Sequence, residues 1–116
     1  MRGGENVDSL RSVLLALEES LPVDGVVSLV ELRSIDGLRK YDHSSLNNAV
    51  ISLHTAGCIL LDEKMNIESL TWKGHTLIDN FRDDRVWQYV IKHANSIDEL
   101  VNVSETYLMR VLSNEN

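Results

Sequence analysis

From Val7, the apolar residues Leu10, Val13, Leu14, Leu17 and Leu21 follow at three- and four-residue steps. That period lays them along one face of a helix. Asn6 or Asp8 is placed to cap its start, and Pro22, which has no N–H to donate, stops it soon after Glu19. Asp24-Gly25 is a turn signal ahead of the β-branched pair Val26-Val27, which suits a short strand or the entry to a second helix. Leu29 to Arg39 reads as a helix interrupted by Asp36-Gly37. A third helix follows, capped by Asp42 or Ser44, with Leu46, Val50 and Leu53 as its stripe and Ala49 and Ala56 as close-packing positions. Gly57 stands where a left-handed C-terminal cap belongs, so a positive φ is predicted there.

After Gly57 the period changes. Cys58-Ile59-Leu60-Leu61 is a short apolar run, Asp62 to Asn66 is polar and turn-like, and Ile67-Glu68-Ser69-Leu70 alternates. Two short strands joined by a polar turn predict a β-hairpin over 58–61 and 67–70. Thr71 then caps a helix whose apolar side is read as Trp72, Leu77, Ile78 and Phe81. Asp83 or Asp84 opens another, carrying Val86, Trp87, Val90, Ile91 and Ala94. Ser96-Ile97-Asp98-Glu99 has capping-box spacing before a last helix with Ile97, Leu100, Val101, Leu108, Val111 and Leu112.

Three helices, a hairpin and a glycine corner between them are the arrangement of a winged helix. The expected fold class is therefore mostly α with a small β-hairpin. It comprises a winged helix-turn-helix core over about 7–82 and a C-terminal helical extension over about 84–113, within a single domain 1–116.

Charge changes the functional picture. Eleven Lys and Arg stand against eighteen Asp and Glu among 116 residues, a net charge of −7. Such a chain is repelled by nucleic acid unless its cations gather on one face. Along 29–57 the cations Arg33, Arg39 and Lys40 balance Glu31, Asp36 and Asp42; every other stretch is net acidic. Cys58 has no second cysteine in the chain to pair with, there is no apolar leader behind Met1, and the apolar runs are too short to span a bilayer. The expectation is a cytoplasmic protein that does not enter membranes.

Chemistry-bearing patterns are sparse. His75 and Asp79, one turn apart, share a helix face, but a metal site needs three or four ligands and no matching second pair occurs. Cys58 begins an apolar strand and reads as a small buried hydrophobe rather than a nucleophile. No phosphate loop, nucleophile elbow or zinc-protease motif is present. No catalytic residue, metal ligand or cofactor is expected, and the chain reads as a non-enzyme.

The segment Leu70-Thr71-Trp72-Lys73-Gly74-His75, then Leu77-Ile78-Asp79, Arg82-Asp83 and Val86-Trp87, resembles the signature of a family of short bacterial and phage proteins, domain of unknown function 2513. Leu53-His54-Thr55-Ala56-Gly57-Cys58-Ile59-Leu60 resembles that family's L-x-x-A-G-L-I passage, with Cys58 in place of an aliphatic residue. The resemblance implies a winged-helix-like fold and occurrence in prophages or their hosts; it implies no activity.

Two functions fit these residues. A DNA-binding regulator would set Asn47 and Asn48 against bases and Arg33, Arg39 and Lys40 against phosphates, with His43, Ser44, His54 and the hairpin's Lys64 as further contacts. A protein-binding winged helix, like an antirepressor or an inhibitor of a host protein, would use the same surface for a protein partner. Net repulsion between the acidic chain and nucleic acid favours the protein partner, with duplex DNA as the alternative. Trp72 and Trp87 are expected to pack between adjacent helices rather than to form a binding surface. Surplus apolar residues in the last two helices suggest a homodimer through Trp87, Val90, Ile91, Leu100, Tyr107, Leu108 and Val111.

Overall fold

A computed structural model describes residues 7–22, 24–94 and 99–114. Helices α1 (Val7–Ser20), α2 (Leu29–Arg33) and α3 (His43–Thr55) precede strands β1 (Ile59–Leu61) and β2 (Ile67–Leu70); α4 (Trp72–Phe81), α5 (Asp84–His93) and α6 (Leu100–Asn114) follow. The fold is mostly helical with one two-stranded antiparallel hairpin, as the hydrophobic pattern predicts. The capping box at 96–99 falls largely outside the described residues.

The helix predicted over 29–39 is broken in two. Ser28 caps α2 by accepting from the Glu31 N–H while the Glu31 side chain accepts from the Ser28 N–H, a reciprocal pair that fixes its start. After Arg33 the chain tightens into a 3-10 turn, Asp36–Leu38, which still buries Leu38. The Val26-Val27 pair resolves as an extended crossing rather than a helix entry. Val27 exchanges both backbone hydrogen bonds with Ile67, at 2.9 and 2.8 Å, and so adds a one-residue third rung to the hairpin.

The corner between α3 and β1 has the double hydrogen bond of a Schellman cap: Cys58 N–H donates to Leu53 C=O and Gly57 N–H to His54 C=O. Gly57 takes φ +83°, as predicted, because a Cβ is costly in that region. The hairpin pairs Ile59 with Leu70, Leu60 with Ser69 and Leu61 with Ile67, so Glu68 is the extra residue of a bulge. At its tip the Asp62 carboxylate accepts from the N–H groups of Lys64 and Asn66 and from the Asn66 amide. Those bonds hold a tight turn in which Met65 takes φ +68°. Among them, the Asn66 N–H does most to draw the Asp62 pKa below the usual carboxylate value.

One hydrophobic cluster runs from Leu10 on α1 to Leu100 on α6. Its C-terminal half is pinned by polar bonds as well as packing. Arg11 donates to Phe81 C=O through Nε (3.0 Å) and Nη2 (2.6 Å), pairs with Asp84 at 2.8 Å, and lies 5.4 Å from the Trp87 ring centre. Arg82 reaches back to Glu18, and the buried Asn80 amide donates to Ser104 Oγ at 2.8 Å. Helices α5 and α6 are thereby bound into the same core as α1 and α4.

Candidate interaction surface

The Trp72-x-Gly74-His75 segment acquires a physical meaning at the start of α4. Thr71 caps the helix by accepting from the Gly74 N–H, while its own N–H and hydroxyl donate to Cys58 C=O and Gly57 C=O. Lys73 Nζ donates to Ala56 C=O at 2.7 Å. Thr71 and Lys73 thus tie α4 to three consecutive carbonyls, Ala56, Gly57 and Cys58, at the end of α3. The approach is so close that a Cβ on Gly74 would stand 2.2 Å from Cys58 O. Glycine is required there to let two backbones meet.

This tether leaves Trp72 outside. The helix buries Gly74, Leu77, Ile78 and Phe81; at roughly 100° per residue, Trp72 lies on the far side of that stripe. It is 79% exposed, whereas Trp87 is 2% exposed and meets Phe81 edge-on at 4.8 Å. The expectation of core packing holds for Trp87 and fails for Trp72. Two further apolar residues open outward on the adjoining elements: Ile51 of α3 is 41% exposed and Leu60 of β1 is 49% exposed. α3, the hairpin and α4 thus each expose a large apolar residue, as do the stretch 26–30 (Val26, Val30), the hairpin tip (Met65) and α6 (Met109). Periodicity held the signal, since Trp72 and Ile51 both fall off the buried stripes of their helices.

The cations expected to grip phosphates are dispersed and partly engaged. Arg33 Nη1 lies 3.5 Å from His43 Nδ1, so these two do come together at the start of α3. Arg39 turns to Asp36 at 3.5 Å and donates to Ser34 C=O. Lys40 sits 5.3 Å above the Tyr41 ring. Asp42, the α3 cap, accepts from the Ser45 N–H at 2.7 Å; this bond, above all, holds its pKa below the ordinary value and keeps a carboxylate beside Arg33 and His43. Ser44, Asn48 and His54 are exposed and Asn47 is half-buried, while Lys64 projects at the hairpin tip between Glu63 and Met65. His75 and Asp79 are both exposed, and among the described residues no group of three His, Cys, Asp or Glu is placed to hold a metal ion.

Three of the seven residues read as a dimer surface on α5 and α6 lie inside the chain. Trp87, Val90 and Leu100 are buried, because α5 and α6 pack on α4 and on each other and Arg11 of α1 lies against Trp87. Ile91, Tyr107 and Leu108 pack half-buried against the same core, and Val111 is half-buried. Trp87, Val90 and Leu100 thus belong to the chain's own interior, while Ile91, Tyr107, Leu108 and Val111 keep part of their surface in solvent.

Comparison with known proteins places the chain in a family. Residues 5–99 match the family described as "Hypothetical protein (DUF2513)", and the chain belongs to it. A Haemophilus influenzae protein described as "Uncharacterized protein" is 31% identical over 121 residues, covering 93% of this chain and 98% of that one. No solved structure matches. Among the described residues no helix is long and apolar enough to cross a membrane.

Proposed function

We propose that this chain is a non-enzymatic winged-helix protein of the bacterial cytoplasm that binds and modulates a protein partner, in the manner of an antirepressor or host-protein inhibitor. The contact surface is the α3–hairpin–α4 corner. The winged-helix reading is supported by the order α1, Val27 bridge, α2, α3, β1, β2, with Val27 pairing to the second hairpin strand. The observation that carries the protein-partner reading is the exposure of Trp72, a residue type that dominates binding energy when it finds a pocket. Ile51 and Leu60 extend an apolar character that duplex DNA, read by charge and polar donors, has little use for. Repulsion by the net charge of −7 opposes DNA further.

The second reading, a DNA-binding regulator, rests on the proximity of Arg33 and His43 at the start of α3 and on exposed Asn48. Purified protein titrated with partner-free duplex DNA at low salt separates the two. No binding at tens of micromolar protein (about the range of nonspecific affinity) is expected. Salt-dependent binding, weakened for every sequence by Arg39→Ala or Lys40→Ala and relaxed in sequence preference by Asn48→Ala, would establish the DNA reading instead.

A further inference from the structure

The outer side of α5 and α6 carries an arrangement unrelated to the surface just described. Tyr89 is stacked between two other rings: His93, one turn along α5, at 4.1 Å between centroids and 30° between planes, and Tyr107 of α6, at 4.5 Å and 16°. Arg110 Nη1 donates to the Tyr89 hydroxyl at 3.4 Å. The three rings wall an open cleft of about 500 Å³, which also takes in Gln88, Lys92, Arg85 and Asp84.

The charges around this cleft are unevenly committed. Asp84 is held by Arg11 from α1, and Arg85 is clamped on the Asp83 carboxylate at 2.8 Å. Among the described residues, Gln88 and Lys92 have no side-chain hydrogen bond or ion pair. An uncommitted ammonium group and a primary amide, beside a wall of stacked rings, offer three kinds of contact at once. With Tyr89 covered on both sides, a planar π-system meets ring edges and the outer face of His93 or Tyr107, the amide reads donor and acceptor edges, and the ammonium takes an anion.

We propose that the α5–α6 cleft binds a nucleoside monophosphate, the base lying against the Tyr107–Tyr89–His93 wall, with Gln88 at its polar edge and Lys92 on the phosphate. A nucleotide unites a flat ring, an edge with mixed donors and acceptors, and a dianion within a volume this cleft accommodates. An acidic peptide would satisfy Lys92 but leave the ring wall and Gln88 without use.

The test is calorimetric titration of the full chain with adenosine monophosphate, uridine monophosphate, adenosine, inorganic phosphate and a polyglutamate peptide. At least one nucleotide is expected to saturate the site with one-to-one stoichiometry, and adenosine or phosphate alone to bind at least about tenfold more weakly. Lys92→Gln should weaken the nucleotide about tenfold without changing adenosine, and His93→Leu about tenfold for nucleotide and adenosine alike. Both positions are exposed, so the variants remain folded, which circular dichroism checks. No nucleotide binding below about 1 mM overturns the site, as does binding unchanged in both variants. Tighter binding of polyglutamate than of any nucleotide overturns it in favour of a peptide groove. None of these results bears on the Trp72 surface, which lies on other elements.

Discussion

The two tryptophans of this chain stand fifteen positions apart, each near the start of its helix, and meet opposite fates. Trp87 is enclosed by α5, with Phe81 against its ring and the Arg11 guanidinium over it. Trp72 protrudes from α4 although its neighbours Thr71, Lys73 and Gly74 are bound to the end of α3. The difference lies in register. Trp87 follows Val86 on the stripe that faces α4, whereas Trp72 sits two residues before Gly74, about 200° round the helix from the side held against Cys58. The same tether that organises the core thus presents an aromatic group to solvent.

Substitutions sharpen this contrast. Trp87→Ala empties a buried site and should cost about 3–5 kcal/mol, measured by denaturant unfolding. Trp72→Ala should move the same midpoint by no more than about 0.5 kcal/mol. Equal losses at the two positions would erase the distinction. Gly74→Ala forces a methyl group onto Cys58 O and should cost about 3 kcal/mol, since one backbone or the other must retreat. A neutral outcome would mean that α4 is not held as close as 2.2 Å implies. Gly57→Val has open space around its side chain but the wrong φ, so about 1–2 kcal/mol is expected, with Gly57→Asn less affected.

The smallest effect is electrostatic. Asp83 caps α5, and its bond to the Arg85 side chain, helped by the Arg85 N–H, lowers its pKa from 3.8 to about 2. A carboxyl whose folded pKa is depressed stabilises the fold above its ordinary value, and that contribution is lost as pH falls from about 3.8 through about 2. Asp83→Asn should flatten the stability profile across that interval and leave the neutral-pH slope unchanged. Persistence of the full acid transition in the variant would assign it to other carboxylates.

Much of the fold was legible in the sequence because the period of the apolar residues changes where the structure changes. The Gly57 corner, the hairpin, and the caps at Asp42, Thr71 and Asp83 each announce themselves by residue type. The break after Arg33 was less legible: Asp36-Gly37 signals an interruption, but the choice of a 3-10 turn depends on burying Leu38 in the assembled core. The position of Trp72 was legible only through the helical wheel, and a large apolar residue beside an apolar stripe invites the opposite reading. The apolar surplus of α5 and α6 was visible, but its use was not. Coverage of α4 by two further helices is a tertiary fact, and it turned Trp87, Val90 and Leu100 from apparent surface into core.

The most direct test of a protein-binding corner is in-cell photocrosslinking from Trp72→p-benzoylphenylalanine, expressed in the cell that naturally makes the chain, with Glu105→p-benzoylphenylalanine on the exposed side of α6 as control. The expected result is a discrete protein adduct from position 72, absent from position 105 and lost when Leu60→Glu is added. Adducts to DNA from position 72, or the same protein adducts from both positions, would contradict a dedicated protein-binding surface at the α3–hairpin–α4 corner.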